Sequence, residues 1–289
     1  MKYRIVKDYR HQEQFRKSLN RLAQKTFGLD FEEWYQKGYW REHYIPYSVV
    51  VEGEVVANVS VNVTDMLLNG KRLHFIQLGT VMTEEKCRHR GLIRMLMEEI
   101  ERDYGEKSDG VYLFANDQVL DFYPKFGFRP VKEYEYFRQV NTSGTMTIQK
   151  VPVRKKSDLK QLEKAIQKSV PAGVFEMTGN MDLLMFYVTG FLREAVWYDK
   201  GLEAYVIAEL EGGILRIHNV FSARNVDLET VIAAFGSEVK EVVLGFVPVK
   251  QGGYERREHK EEDCTLFIKG EALACIEEEK LMFPTLSHA

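Results

Sequence analysis

Cysteine is scarce: Cys87, Cys264 and Cys275 are the only three in 289 residues. Their number is odd and no two stand at the close spacing of a zinc knuckle or a redox pair. That excludes a disulfide framework and points to free thiols in a reducing compartment. The seven histidines form no pair at helical ligand spacing, so no metal site is expected. No apolar run approaches the ~20 residues that span a bilayer. The opening stretch MKYRIVKDYRHQEQF has neither the apolar core nor the small-residue cleavage site of a secretory leader. The expected location is the cytoplasm, with no membrane partner. A net charge of -3 leaves no general cationic excess for nucleic acid. What is present, 45% hydrophobic, 12% aromatic and 29% charged residues, is the composition of a folded chain. Its length suits one large domain or two ordinary ones.

The first half alternates between strand and helix patterns. Residues 3–7 (YRIVK) read as a strand, and the next segment sets Phe15, Leu19, Leu22 and Phe27 on one helical face. An aromatic segment, FEEWYQKGYWREHYIPY, follows as a short helix and loop. Residues 48–83 read as three antiparallel strands with turns at Glu52-Gly53 and Asn69-Gly70. A helix carrying Leu92, Met95, Leu96, Ile100 and Tyr104 inward comes next, then an apolar strand over 110–116. Asp117 is placed to cap a short helix, QVLDFY, that Pro124 and Gly127 end. Residues 128–140 close this half with strands.

The polar break NTSGT, residues 141–145, is the expected domain boundary, giving units over 1–140 and 146–289. After it the order partly repeats. A strand (TIQKVPV) leads to a helix capped by Ser157 or Asp158, then a second helix (MDLLMFYVTGFL) and a hairpin over 203–221. A helix and the strands EVVLGFVPV and DCTLFIKG complete it. The fold class is α/β (α+β): a mixed, largely antiparallel sheet flanked by helices, followed by a second, smaller α/β unit of similar order. The mixed-charge stretch YERREHKEED, residues 254–263, reads as a solvated loop.

Two stretches carry chemistry. In GTVMTEEKCRHRGLIRMLM a strand ends near Thr83 and a helix starts near Gly91. A helix start offers unpaired N–H groups and a partial positive charge, which suit a pyrophosphate. Gly91 permits close backbone approach, while Arg88, His89 and Arg90 add positive field. A basic turn ahead of an ordinary helix has the same local pattern. In ANDQVLDFYPKFGFRPV, Phe122, Phe126 and Phe128 read as packing residues, whereas Tyr123 has a hydroxyl that must be satisfied or used.

Together these stretches resemble the acetyl-CoA-binding signatures of the GCN5-related N-acetyltransferase (GNAT) superfamily, over about residues 1–140. Arg88-His89-Arg90-Gly91-Leu92-Ile93 matches the family's pattern of Arg or Gln, two residues, Gly, one residue, then Gly or Ala, except at Ile93. FYPKFGF resembles its Phe-Tyr-x-x-x-Gly-Phe signature. The resemblance implies a GNAT-type sheet. It implies acetyl-CoA as cosubstrate, held by Val81, Met82, Thr83, Arg88, His89, Arg90, Gly91, Leu92, Ile93, Arg94 and Asn116, with no metal. It also implies direct acyl transfer to a primary amine of a small molecule or protein, with Tyr123 as the acid that protonates the departing thiolate. On this reading the second half is a degenerate copy or an accessory unit, and a homo-oligomer is compatible with it.

The proton acceptor stays open among His74, Gln77, Thr80, Glu33, Glu42, His288 and a terminal carboxylate folded back from FPTLSHA. Trp34, Tyr39, Trp40 and Tyr44 are expected to pack the first helices onto the sheet; the alternative is a wall of the acceptor groove. The competing function is an acyl-CoA-binding regulatory or scaffold protein with little turnover, and transfer of a bulkier acyl group is a third reading.

Overall fold

The computed structural model describes residues 3–289. Strand β1 (Arg4–Lys7) leads to helices α1 (Glu13–Phe27) and α2 (Glu32–Gln36), then to strands β2 (Tyr44–Val51), β3 (Glu54–Leu68) and β4 (Lys71–Thr83). Helix α3 (Leu92–Tyr104), strand β5 (Gly110–Ala115) and strands β6 (Arg129–Pro130) and β7 (Glu133–Gln139) complete the first half. The second half runs β8 (Gln149–Lys150), α4 (Lys156–Lys168), β9 (Gly173–Thr178), α5 (Met181–Thr189), β10 (Val196–Asp199), β11 (Ala204–Glu211) and β12 (Ile214–Phe221). It ends with α6 (Leu228–Ala234), β13 (Glu241–Leu244), β14 (Val247–Pro248), β15 (Glu255–His259), β16 (Thr265–Lys269) and α7 (Cys275–Glu278).

Local chemistry accounts for much of this. Phe15, Leu19, Leu22 and Ala23 recur at helical spacing and are buried, and α1 stops where Gly28 takes φ +70 and donates its N–H to the Gln24 carbonyl. Phe27 departs from that face: it is 41% exposed and turns toward the groove described below. Both early hairpins have two consecutive left-handed residues, Glu52-Gly53 and Asn69-Gly70, as tight hairpin turns require.

Two sheets result, and the chain crosses between them. The first has the order β1-β2-β3-β4-β5-β16-β6, extended by β9 on β3 and β14 on β9. The second has the order β15-β7-β13-β12-β11-β10-β8. Each contains one parallel pair, β4 with β5 and β12 with β13. The strand beside each parallel pair comes from the opposite half: β16 lies on β5, and β7 lies on β13. The break at residues 141–145 separates β7 from β8 in sequence but does not separate the sheets.

Several local expectations need correction. Residues 255–259 of the mixed-charge stretch are β15, paired with β7, because Arg257 and His259 both meet the buried Glu135 carboxylate. The expected helix over QVLDFY is replaced by two short 3-10 turns, Asp117–Val119 and Tyr123–Phe126, with Pro124 setting the second. Neither Ser157 nor Asp158 caps α4, whose N-cap is Lys155 without a side-chain bond. β9 falls where the sequence pattern predicts no strand.

β3 is buried on both faces. Ala57, Val59 and Val61 pack under α3, while Asn58, Ser60, Asn62 and Thr64 form a polar stripe at most 2% exposed. Alternation of this kind ordinarily leaves the polar face in water. Here it is tolerated because the stripe is hydrogen-bonded, including Ser60 to the Tyr44 hydroxyl at 2.8 Å and Asn180 to Asn62 at 3.2 Å.

Candidate active site

β4 and β5 pair in parallel only from Phe75 opposite Gly110 to Leu78 opposite Leu113. Beyond that register they part. β4 stays on β3, with Gly79 opposite Ser60 and Met82 opposite Asn58, so that Thr80 and Val81 together face a single β3 residue. This is a β-bulge, and it turns the strand edge outward. Thr80 adopts φ +45, a costly conformation for a β-branched residue. Two bonds hold it: Asn58 Nδ2 donates to the Thr80 carbonyl at 2.9 Å, and the Tyr44 hydroxyl lies 2.7 Å from Thr80 Oγ1. The β4 edge at residues 79–83 that faces β5 has no ladder partner among the described residues and lines a groove of about 1180 Å³. An unpaired edge of this kind accepts an extended amide-bearing ligand as a further strand.

The groove's other end is built by the turn into α3. After Thr83 the chain makes a 3-10 turn, Glu85–Cys87, and reverses through His89 at φ +60 and Gly91 at φ +75. Gly91 is the N-cap of α3, which has no capping side chain and no acid in its first turn. The helix therefore keeps its positive end and first-turn N–H groups for an anion. A Cβ on Gly91 would meet nothing within 4 Å, so it is the left-handed φ that calls for glycine here. Arg88, His89 and Arg90 are exposed around this turn. Arg90 donates to the Tyr3 hydroxyl at 3.2 Å, and Arg94 lies 5.2 Å over the Phe126 ring.

All twelve residues singled out from the sequence line this one groove, including Asn116 and Tyr123 on its β5 side. Met82 and Leu92 have side chains buried in the core, so what they offer the groove is main chain. Ile93 is half-buried and faces it. Tyr123 is 4% exposed, among Phe122, Phe128 and Phe267. Its hydroxyl has no hydrogen-bond partner among the described residues, and burial pushes its pKa up to about 12.

The last residues of the sequence thread between the sheets. Phe283 N–H donates to the buried Glu133 at 2.7 Å, Thr285 N–H to the Gly245 carbonyl at 2.9 Å, and the Tyr187 hydroxyl to the His288 carbonyl at 2.7 Å. Ala289 then reaches the groove, where its oxygen accepts from Gln77 Nε2 at 3.3 Å. Any Cβ on Gly79 would stand 2.5 Å from that oxygen, so glycine is required there for space. His288 stacks on Phe114 at 3.8 Å, and desolvation holds its pKa down to about 3. Its imidazole is thus neutral, with Nε2 unbonded among the described residues.

The remaining proton-acceptor candidates separate by position. Thr80 and Ala289 line the groove, and Gln77 is buried behind it. His74 is bonded to Asp65 at 2.7 Å, on the part of β4 before the strands diverge. Glu33 pairs with Lys37 and Arg193, and Glu42 lines a different hollow beside Arg41 and Asp182. The aromatic segment is core: Trp34 stacks on Trp40 at 5.8 Å, Trp34 Nε1 donates to the Asp182 carbonyl, and Tyr39 and Tyr44 are buried with them.

Among the described residues no group of three or more His, Cys, Asp or Glu is arranged to hold a metal ion. No helix there is long and apolar enough to cross a membrane.

Residues 7–131 match the family model of the acetyltransferase (GNAT) domain. No curated protein matches the sequence. Solved structures share the fold. A probable N-acyltransferase from Enterococcus faecalis V583 has TM-score 0.62 at 16% identity, over 93% of this chain and 72% of that one. A GCN5-related N-acetyltransferase from Kribbella flavida has TM-score 0.56 at 16% identity, over 95% and 74%. Eis1 from Mycobacterium abscessus has TM-score 0.56 at 10% identity, over 92% and 72%. At such identities the likeness establishes architecture, and it extends over both halves of the chain.

Proposed function

With a GNAT acetyltransferase domain as its first half, the chain is, we propose, an acetyl-CoA-dependent N-acetyltransferase that acts on a primary amine. The observation that carries this reading is the divergence of β4 and β5 beside the uncapped start of α3. One groove thereby joins an open strand edge, suited to the amide arm of the donor, to a helix N-terminus and arginines suited to its pyrophosphate.

The amine attacks the thioester carbonyl carbon, the C–N bond forms, the C–S bond breaks, and the sulfur departs as thiolate that takes up a proton. The thioester carbonyl lies against the bulge, where a main-chain N–H stabilises the developing oxyanion. Tyr123 gives its hydroxyl hydrogen bond to the departing sulfur. On the amine side, Ala289 meets Gln77 at the head of the splay. Where the chain ends at that residue, its carboxylate is a stronger proton acceptor at the head of the splay than the neighbouring Thr80 hydroxyl. The reading of the second half as a degenerate copy of the first is supported by the matching strand orders around the two parallel pairs, with β7 and β16 exchanged across the break at 141–145.

The test is thiol release from acetyl-CoA across a panel of small-molecule and peptide amines, with cofactor binding measured alongside. Release that depends on an amine is the expected result. Tight acetyl-CoA binding with no release for any amine would favour a non-catalytic acyl-CoA-binding protein instead. Lengthening the chain by one glycine after Ala289 should lower turnover at unchanged acetyl-CoA affinity if the terminal carboxylate is the acceptor.

A further inference from the structure

The turn between β15 and β16, closed by the isolated bridge between Glu261 and Cys264, reaches from the second half of the chain to the end of β5. There Asp263 takes φ +56, and its carboxylate makes two short bonds. Oδ2 accepts from Asn116 Nδ2 at 2.7 Å, and Oδ1 accepts from the Asp117 N–H at 2.7 Å. The Asp263 carbonyl lies 3.4 Å from the same Nδ2. Both side chains line the large groove, opposite the open edge of β4.

An asparagine amide offers donors at one end and an acceptor at the other, and its neighbours decide which end points where. A carboxylate can only accept. Asn116 must therefore turn Nδ2 toward Asp263, which leaves Oδ1 for the groove. The second bond, to the Asp117 N–H, ties the same carboxylate to the 3-10 turn Asp117–Val119 and fixes where the amide sits.

We propose that Asp263 is a positioning residue for the donor site: it orients Asn116 so that a hydrogen-bond acceptor meets an amide N–H on the arm of a pantetheine-type thioester. The inference rests on the proposed function and goes beyond it, because a residue 147 positions away in sequence sets the polarity of the groove wall. Both groups are solvated in the open groove. A bound arm covers them and makes their orientation count for more.

The test compares the wild type with Asp263→Ala, Asn116→Asp and the double exchange that combines Asn116→Asp with Asp263→Asn. Binding of acetyl-CoA and of adenosine 3′,5′-bisphosphate, which lacks the amide arm, is measured by calorimetry. Asp263→Ala should weaken acetyl-CoA binding roughly tenfold, the loss expected for a charged hydrogen bond, with bisphosphate binding unchanged. Asn116→Asp sets two carboxylates together and should weaken acetyl-CoA binding at least as much. The double exchange should recover to within about threefold of wild type. In it the transplanted amide can donate to the transplanted carboxylate and still accept from the Asp117 N–H. Wild-type affinity in Asp263→Ala, equal loss of both ligands, or no recovery in the double exchange would each overturn the inference. A wild type that binds neither ligand would overturn the donor-site reading itself.

Discussion

Tyr123→Phe removes one oxygen from a ring that is almost fully enclosed. The ring contacts, to Phe122 at 5.3 Å, Phe267 at 5.7 Å and Phe128 at 6.3 Å between centroids, survive the change. The lost hydroxyl has no partner among the described residues, so folding stability should shift by less than ~1 kcal/mol. The catalytic cost depends on what the hydroxyl does. From sequence, a phenol near its ordinary pKa of ~10 matches a thiolate well enough to hand over its proton. In the fold, burial pushes that pKa up to about 12. That lies some 3 to 4 units above an ordinary thiol, so complete transfer is uphill by about 5 kcal/mol. On the proposed mechanism the hydroxyl then acts chiefly as a hydrogen-bond donor to the growing negative charge on sulfur. A bond of that kind contributes about 1.5–3 kcal/mol, or roughly 10- to 150-fold in rate, at the lower end of full general-acid catalysis at ~10²–10⁴. We expect kcat to fall roughly 10- to 100-fold, with the acetyl-CoA Kd within about twofold of wild type. Steady-state thiol release and calorimetric titration supply the two numbers. A kcat within twofold of wild type would refute the donor role, and equal losses in kcat and affinity would reduce Tyr123 to packing.

Two further perturbations probe the anion end and the chain's tail. Gly91→Glu forces a side chain into φ +75 and sets a negative charge at the uncapped start of α3. Acetyl-CoA affinity should fall at least ~100-fold, Arg88→Ala should fall less, and Ile93→Gly should be neutral or tighter; unchanged affinity in Gly91→Glu would refute the phosphate assignment. Glu133 is fully enclosed, and desolvation raises its pKa to about 7. A carboxyl whose folded pKa lies above the unfolded one contributes stability fully below the unfolded value, and loses that contribution as pH rises through about 7. The loss is on the order of 3 kcal/mol. Glu133→Gln keeps an oxygen for the Phe283 N–H but cannot ionise, so at pH 8.5 its Tm should exceed that of wild type, while at pH 5 the two converge. Glu176 and His259, whose pKa values are also raised, titrate in the same direction and preserve a residual slope. Parallel Tm–pH curves for the two proteins would show that Glu133 does not ionise in the folded state.

Legibility divides along the range of the forces. Elements governed by neighbours in sequence could be read directly: the Asn69-Gly70 hairpin, the buried face of α1 up to Leu22, the glycine-led entry to α3, and the apolar β5. The residues of the two motifs could also be named in advance, since a phosphate-type turn and an aromatic turn each occupy one short stretch. The mixed-charge segment misled because Arg257 and His259 look solvated until Glu135, more than a hundred residues earlier, is brought beside them. Composition likewise could not show that the polar face of β3 would be buried, since its acceptance depends on partners such as Tyr44 and Asn180.

The sequence by itself determined most of the secondary elements of the first half, its hairpin turns and the identity of the groove's principal residues, because backbone sterics and hydrophobic periodicity act within a few positions. Only the tertiary structure decided the exchange of β7 and β16, the path that delivers Ala289 to Gly79, the raised pKa of Tyr123 and the hold of Asp263 on Asn116. Each of these depends on desolvation or pairing between segments far apart in the chain, and neither exists until the sheets have assembled.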